Sequence, residues 1–156
     1  MDFPVVIPFV EELGFELVRF ENGSSEIVLD TETRHQNSFK VVHGGVSMTL
    51  LDVAMAHAAR SMNGEPPGSG PGVVTIEMKT SFMRPGTGRL RCIGRLLHRT
   101  ATMAFCDGEI LDEQGQRIAH ATGTFKYARA VATAGREIKP LARREPGPFE
   151  GGRGSD

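Results

Sequence analysis

The chain has 156 residues, of which 39% are hydrophobic and 24% are charged, and its formal net charge is −1. This length predicts one domain with a real core, and the balanced charge gives no sign of nucleic-acid binding. No apolar run approaches the roughly 20 residues of a membrane span, and the acidic N-terminus lacks the basic start of a signal peptide. Cys92 and Cys106 are too few to imply a disulfide scaffold. We therefore expect a soluble cytoplasmic protein without a nucleic-acid or membrane partner.

The first half of the chain is predicted to contain a short helix, a hairpin and a long apolar helix: 4–13, 15–20 with 24–30, and 46–60. Gly14 ends the short helix, and Asn22-Gly23 is a favoured hairpin dipeptide. The long helix is apolar on nearly every side, which predicts that it is buried.

The second half, after a loop rich in Gly and Pro, is predicted to contain four strands: 73–83, 89–98, 101–111 and 116–127. The first alternates, with one side formed by Val74, Ile76, Met78, Thr80 and Phe82 and the other by Thr75, Glu77 and Lys79. Long strands joined by tight turns predict an antiparallel sheet. With one apolar helix before them, the fold class is α+β, a sheet of five to six strands wrapped around a central helix.

The pattern breaks from about Arg129 onward. Residues 136–156 contain three prolines and four glycines with mixed charges. We therefore predict a domain over 1–128 and a flexible C-terminal tail over 129–156.

The start of the long helix is the strongest functional signal. Gly44 and Gly45 let backbone N–H groups approach a ligand, and a helix N-terminus suits an oxygen that becomes negative during a reaction. Asp52 lies in the middle of this helix with no Lys or Arg one turn away. Burying an unpaired carboxylate is costly, which favours a chemical role. The structural alternatives are a simple turn into a helix and an Asp52 that bonds a neighbouring strand or lies at a subunit contact.

The spacing of these residues resembles a known family. Asn37 precedes His43-Gly44-Gly45 by six residues, and Asp52 follows His43 by nine. Together with the strand from Val74, which carries Thr75 and ends in Phe82-Met83-Arg84-Pro85, this set is similar to the hot-dog-fold acyl-CoA thioesterases. The resemblance covers roughly residues 10–128 and is to the phenylacetate-pathway and 4-hydroxybenzoyl-CoA thioesterase-like branch.

The resemblance implies hydrolysis of an acyl-CoA thioester to a free carboxylate and CoA, without a cofactor or a metal. The Gly45 N–H is expected to polarise the carbonyl, Asn37 to assist it, and His43 to brace the loop. Asp52 would attack the carbonyl or deprotonate a water molecule, and the sequence leaves both routes open. The Thr75 hydroxyl would hold that water.

Further residues are expected to bind the substrate. The acyl group and its carbonyl would contact Gly44, Met48, Leu51, Met55 and Phe82, which also fit an ordinary core. A basic cluster near the fourth predicted strand offers cations for the CoA phosphates, or alternatively a solvated outer face of the sheet: Arg84, Arg89, Arg91, Arg95, His98 and Arg99.

The helix geometry points to a shared site. Asp52 lies about 10 Å along the helix from Gly45, too far to reach a carbonyl held there. Hot-dog dimers place the acid of one subunit opposite the His-Gly-Gly turn of the other. We therefore expect a homodimer with shared sites, and a dimer of dimers (tetramer) is left open.

Other functions are disfavoured by missing motifs. The sequence lacks the Gly-x-Ser-x-Gly of α/β-hydrolases, metal-ligand spacing, and the glycine-rich loops that bind nucleotides. Two alternatives remain open, a hot-dog enoyl-CoA hydratase or dehydratase and a non-catalytic acyl-CoA binding protein.

Overall fold

The computed structural model describes residues 1–128, and its elements follow the predicted order. Its helical elements are α1 (Pro8–Glu12), a 3-10 turn (Thr33–His35) and α2 (Gly44–Arg60). Its strands are β1 (Glu16–Glu21), β2 (Ser24–Asp30), β3 (Val73–Phe82), β4 (Arg89–Arg99), β5 (Met103–Leu111) and β6 (Arg117–Tyr127). The tail predicted for 129–156 lies outside the described residues.

All six strands form one antiparallel sheet in the order β1-β2-β4-β5-β6-β3. The sheet wraps around α2, which contacts every strand. The predicted α+β hot-dog architecture is therefore confirmed. No helix among residues 1–128 is long and apolar enough to cross a membrane, and Cys92 and Cys106 are both free and buried.

Three glycines in adjacent strands let α2 lie directly on the sheet. A Cβ atom on Gly94 would come within 2.4 Å of the Ala54 carbonyl oxygen. A Cβ atom on Gly108 or Gly123 would lie 3.2 or 3.1 Å from the Met55 side chain. A larger residue at Gly94 would push the helix backbone away, so this glycine fixes the depth of α2 in the core, whereas Gly108 and Gly123 make room for the Met55 side chain.

One stripe of α2 is not covered by the sheet. Gly45 is exposed, the Met48 side chain is 39% exposed, and Asp52 and Ala56 are half-buried. These residues recur every three or four positions and therefore share one face of the helix. The predicted burial of the helix is confirmed for most of its residues, but this stripe stays open because a single sheet covers only part of a helix's circumference. We call Gly45, Met48, Asp52 and Ala56 the open stripe.

The edge strand β3 contains a bulge near its start. Thr75 pairs with Phe125 but Glu77 pairs with Thr124, so Ile76 is an extra residue without a cross-strand partner. A bulge reverses the alternation of side chains along the strand. Thr75 therefore shares the helix-facing side with Met78, and the predicted alternation, which separated these two residues, was wrong.

The first helix is shorter than predicted. It begins at Pro8, and Ile7 has φ −128° and ψ 89°, outside the helical region. A proline ring disfavours helical geometry in the residue before it, so Pro8 prevents a helix that starts at Pro4. Residues 1–7 instead form an irregular segment, part of which lies over α2.

Candidate active site

Asp52 and Thr75 meet where the open stripe of α2 faces the start of β3. Thr75 Oγ1 donates a hydrogen bond to Asp52 Oδ1 at 2.7 Å. Burial raises the pKa of the Asp52 carboxyl above its ordinary value, and the Thr75 hydrogen bond lowers it in part. The carboxylate forms no ion pair with a cation in residues 1–128. Asp52 is therefore a better proton acceptor than an ordinary aspartate.

The contact with Thr75 also bears on the structural alternative. It gives Asp52 a partner on a neighbouring strand, as that alternative requires. One neutral hydroxyl, however, satisfies only part of the hydrogen-bonding capacity of a carboxylate, and it does not neutralise the charge. The remaining capacity of Asp52 is open to a ligand or a water molecule.

A cleft of about 700 Å³ opens beside the Asp52–Thr75 pair. Its walls come from α2, from the start of β3, from the N-terminal segment and from the loop that precedes β3. Val53, Ala56 and Val73 give it an apolar lining. A cleft of this size and character suits a small organic ligand.

The start of α2, residues His43–Gly45, is held by an internal hydrogen bond. His43 is the N-cap residue, and its Nδ1 atom accepts from the Gly45 N–H at 2.9 Å. This bond occupies the N–H that the sequence analysis assigned to the thioester carbonyl. The Gly44 N–H donates no hydrogen bond within the described chain. The free backbone donor thus lies one residue earlier than expected.

Two side chains that lead into α2, those of His43 and Asn37, also carry hydrogen-bond donors. Because His43 Nδ1 accepts a hydrogen bond, the neutral ring carries its proton on Nε2. Asn37 Oδ1 accepts from the N–H groups of Phe39 and Val41 at 2.9 and 3.4 Å, which braces the loop. Its amide NH2 group has no partner in residues 1–128. We call Asn37, His43 and Gly44 the entrance half-site.

The other predicted substrate-binding residues lie in different places. The Phe82 ring lies at the start of α2, 3.4 Å from where a Cβ atom on Gly44 would be. Met48 lies on the open stripe. Met55 is fully buried against the sheet glycines and does not line the cleft. Leu51 is likewise fully buried.

The predicted basic cluster lies mainly on the outside of the sheet. Arg84 Nη1 donates to the Arg117 carbonyl at 2.8 Å and remains exposed. Several neighbours form ion pairs with acids on adjacent strands: Arg89 with Asp30, Arg91 with Glu26, and Arg95 with Glu109. These contacts favour the interpretation that this cluster lies on a solvated outer face of the sheet over the interpretation that it binds the CoA phosphates. No group of three or more His, Cys, Asp or Glu side chains in the described region could hold a metal ion.

Two cleft residues in the last turn of α2, His57 and Arg60, are not among the site residues predicted from the sequence. Both are buried, with 2% and 8% of their surface exposed. Burial lowers the pKa of His57 to about 4, so its ring is neutral at pH 7. The signal that could have found Arg60 is its spacing of eight residues from Asp52, which places both on a similar face of the helix.

The candidate site residues thus form two separate groups in one chain. We call Asp52 and Thr75, with the cleft, the acid half-site. The entrance half-site lies about 12 Å away along α2, since Asp52 comes eight positions after Gly44.

Comparison with known proteins identifies the family and the fold of this chain. A family model described as the thioesterase superfamily matches residues 39–119, which include His43, Asp52 and Thr75. The chain belongs to this superfamily. Its resemblance to hot-dog thioesterases is thereby confirmed, and membership supports thioester hydrolysis as the general activity.

Individual relatives are distant but cover most of the chain. The medium/long-chain acyl-CoA thioesterase YigI of Salmonella typhimurium is 27% identical over 132 residues, which cover 76% of this chain and 84% of that protein. The conserved protein PA5202 of Pseudomonas aeruginosa has a TM-score of 0.71 at 26% identity, covering 79% of this chain and 95% of that one. A variant of the phenylacetic acid degradation protein PaaI from Thermus thermophilus has a TM-score of 0.68 at 25% identity, covering 78% of this chain and 100% of that one.

Proposed function

We propose that this protein is an acyl-CoA thioesterase that releases CoA and a free carboxylate. The observation that carries the proposal is the Asp52–Thr75 pair at 2.7 Å beside an apolar cleft. The name of the relative YigI, an acyl-CoA thioesterase, supports CoA as the carrier. A cytoplasmic location, where acyl-CoA is available, is part of the proposal.

Asp52 supplies the reactive carboxylate. It either attacks the carbonyl to form a mixed anhydride or takes a proton from the attacking water. Thr75 donates its own proton to Asp52, so its oxygen lone pairs are free to accept a hydrogen bond from that water. Both routes need the ionised carboxylate, and the raised pKa makes it more basic.

The entrance half-site holds the thioester carbonyl. The Gly44 N–H at the helix N-terminus and the Asn37 amide donate to the oxygen as it becomes negative. The Gly45 N–H joins them when the His43 ring turns away. The leaving thiolate needs little assistance, because a thiol pKa is near ~8.5.

Each active site combines two subunits of a homodimer. Two features support this arrangement besides the separation of about 12 Å between Gly44 and Asp52 within a chain. On the open stripe Met48 is exposed and Asp52 is half-buried, and about half of the surface of Val74 and Ile76 on the edge strand β3 is exposed. An exposed apolar edge strand readily pairs with another chain. Pairing of two copies there would cover both features, and a dimer of such dimers is compatible with it.

The test is the isosteric variant Asp52→Asn. It keeps a partner for the Thr75 hydroxyl but removes the base or nucleophile, so kcat/KM should fall by roughly 10²–10⁴-fold. Thiol release is measured over acetyl-, hexanoyl-, lauroyl-, phenylacetyl- and benzoyl-CoA. Asp30→Asn is the matched control, because Asp30 is exposed and pairs with Arg89 far from the cleft.

Two results would contradict the proposal. Retention of more than about a tenth of kcat/KM in a folded Asp52→Asn protein would exclude Asp52 as the catalytic acid. Calorimetric binding of acyl-CoA without thiol release by the unaltered protein would indicate a binding protein rather than an enzyme.

A further inference from the structure

The end of the cleft remote from Thr75 carries a buried cation. The Arg60 side chain donates from Nη2 to the Gly68 carbonyl at 3.3 Å, and its Nε atom is enclosed without a partner. No carboxylate in residues 1–128 forms an ion pair with it. Burying a guanidinium without an anion is costly. Because Arg60 lines the cleft, an anionic ligand there would neutralise its charge and accept from guanidinium N–H groups other than the enclosed Nε–H.

The neighbouring histidine does not share this role. His57 Nδ1 bonds the Val53 carbonyl at 2.8 Å, and the ring meets Phe3 and Phe20 edge-on at 5.1 and 5.7 Å. Its lowered pKa keeps it neutral. Arg60 is thus the one cation that lines the cleft among the described residues.

The distance from Asp52 to Arg60 limits the length of a ligand that contacts both residues. Eight residues of helix separate their Cα atoms by about 12 Å along the axis. An extended chain advances about 3.5 Å for every three bonds, so about ten bonds would span this distance. Fewer suffice where the two side chains reach towards each other. Between them the wall is apolar, formed by Val53, Ala56 and Val73.

We propose that the cleft selects acyl groups that carry a second carboxylate at the end remote from the thioester. The thioester lies at Asp52, methylene groups lie along the apolar wall, and the distal carboxylate accepts hydrogen bonds from Arg60. A guanidinium matches a carboxylate in charge and in planar geometry. This inference rests on the proposed function, which places the thioester at Asp52.

Matched pairs of substrates test the selection. Succinyl-, adipyl-, suberyl- and sebacyl-CoA are compared with butyryl-, hexanoyl-, octanoyl- and decanoyl-CoA. We expect kcat/KM to be at least about tenfold higher for the dicarboxylic member of one or more pairs, with the best pair near the middle of the series. If the monocarboxylic member is preferred in every pair, the inference is overturned without any variant.

Variants at Arg60 then separate recognition from a structural role. Arg60→Met should reduce the preference for the dicarboxylic member by roughly tenfold or more, and Arg60→Lys should retain part of it. Arg19→Met, at an exposed arginine on β1, is the control and should leave the ratio unchanged. A folded Arg60→Met protein with an unchanged ratio would show that Arg60 has only a structural role.

Binding to Asp52→Asn distinguishes failure of this inference from failure of the proposed function. Calorimetry with suberyl-CoA and octanoyl-CoA needs no turnover. Tighter binding of suberyl-CoA supports the distal site even if no thioester is hydrolysed. Hydrolysis by the unaltered protein with equal binding of the two ligands would overturn the distal site and leave the thioesterase function standing.

Discussion

The hydrogen bond between Thr75 and Asp52 should set the pH range of the reaction. Because this bond lowers the pKa of Asp52 while burial raises it, Thr75→Val should raise that pKa further. The proposed reaction needs the ionised carboxylate, so the acidic limb of kcat/KM should move to higher pH. Thiol release measured across about pH 4 to 9 checks this prediction.

The control for this change is Thr75→Ser, which keeps the hydroxyl. Its acidic limb should stay close to that of the unaltered protein, although loss of the methyl group can lower the plateau. An acidic limb that does not move in Thr75→Val would show that the limb reports a group other than Asp52.

The candidate site residues differ in how well their positions and contacts could be predicted from the sequence. The sequence alone indicates Asp52 as a candidate site residue, because a charged residue in an apolar helix can be recognised without any knowledge of tertiary contacts. The side of β3 on which Thr75 lies could not be predicted from the sequence. It depends on a bulge at Ile76, and the pairing of β3 with β6 defines that bulge. The bond that occupies the Gly45 N–H depends on the orientation of the His43 ring, which the sequence does not reveal.

At the scale of elements, the close approach of α2 to β4 should depend on Gly94. A Cβ atom there would lie 2.4 Å from the Ala54 carbonyl oxygen and 2.8 Å from the Met55 nitrogen. Both are backbone atoms, so the helix itself would have to move. Gly94→Ala should lower the free energy of unfolding by about 3 kcal/mol, which corresponds to a decrease in Tm of roughly 10 °C.

Gly72→Ala is the matched control for that measurement. An added Cβ atom at Gly72 would meet nothing within 4 Å, so its Tm should change by no more than about 2 °C. Equal effects of the two variants in thermal unfolding would contradict the proposed fit of helix and sheet.

Element boundaries were predictable where local chemistry sets them. Asn22-Gly23 fixed the first hairpin, and β2 was predicted with its observed ends. The N-terminal helix is shorter than predicted because Pro8 occupies its first position, and the residue before a proline disfavours helical geometry. The open stripe could not be predicted, because how much of α2 the sheet covers is a property of the whole curved sheet.

At the scale of the whole molecule, two inactive variants should restore activity in a mixed dimer. Asp52→Asn disables the acid half-site, and Gly44→Pro removes the free N–H of the entrance half-site. Proline is tolerated at the first position of a helix, and His43, with φ −65° and ψ 137°, already has the conformation required before proline. Gly44→Ala is the control, because it adds a Cβ atom near Phe82 but keeps the N–H.

Refolding the two variants together gives about half heterodimers if pairing is random. One site of each heterodimer joins an intact Gly44 to an intact Asp52, and the other lacks both. The mixture should therefore recover about a quarter of the unaltered activity, while each variant alone stays inactive. Circular dichroism and light scattering check that both variants fold and exchange subunits. If mixed dimers form and thiol release stays at the level of the single variants, the two half-sites do not combine across the interface, and the shared active site is refuted.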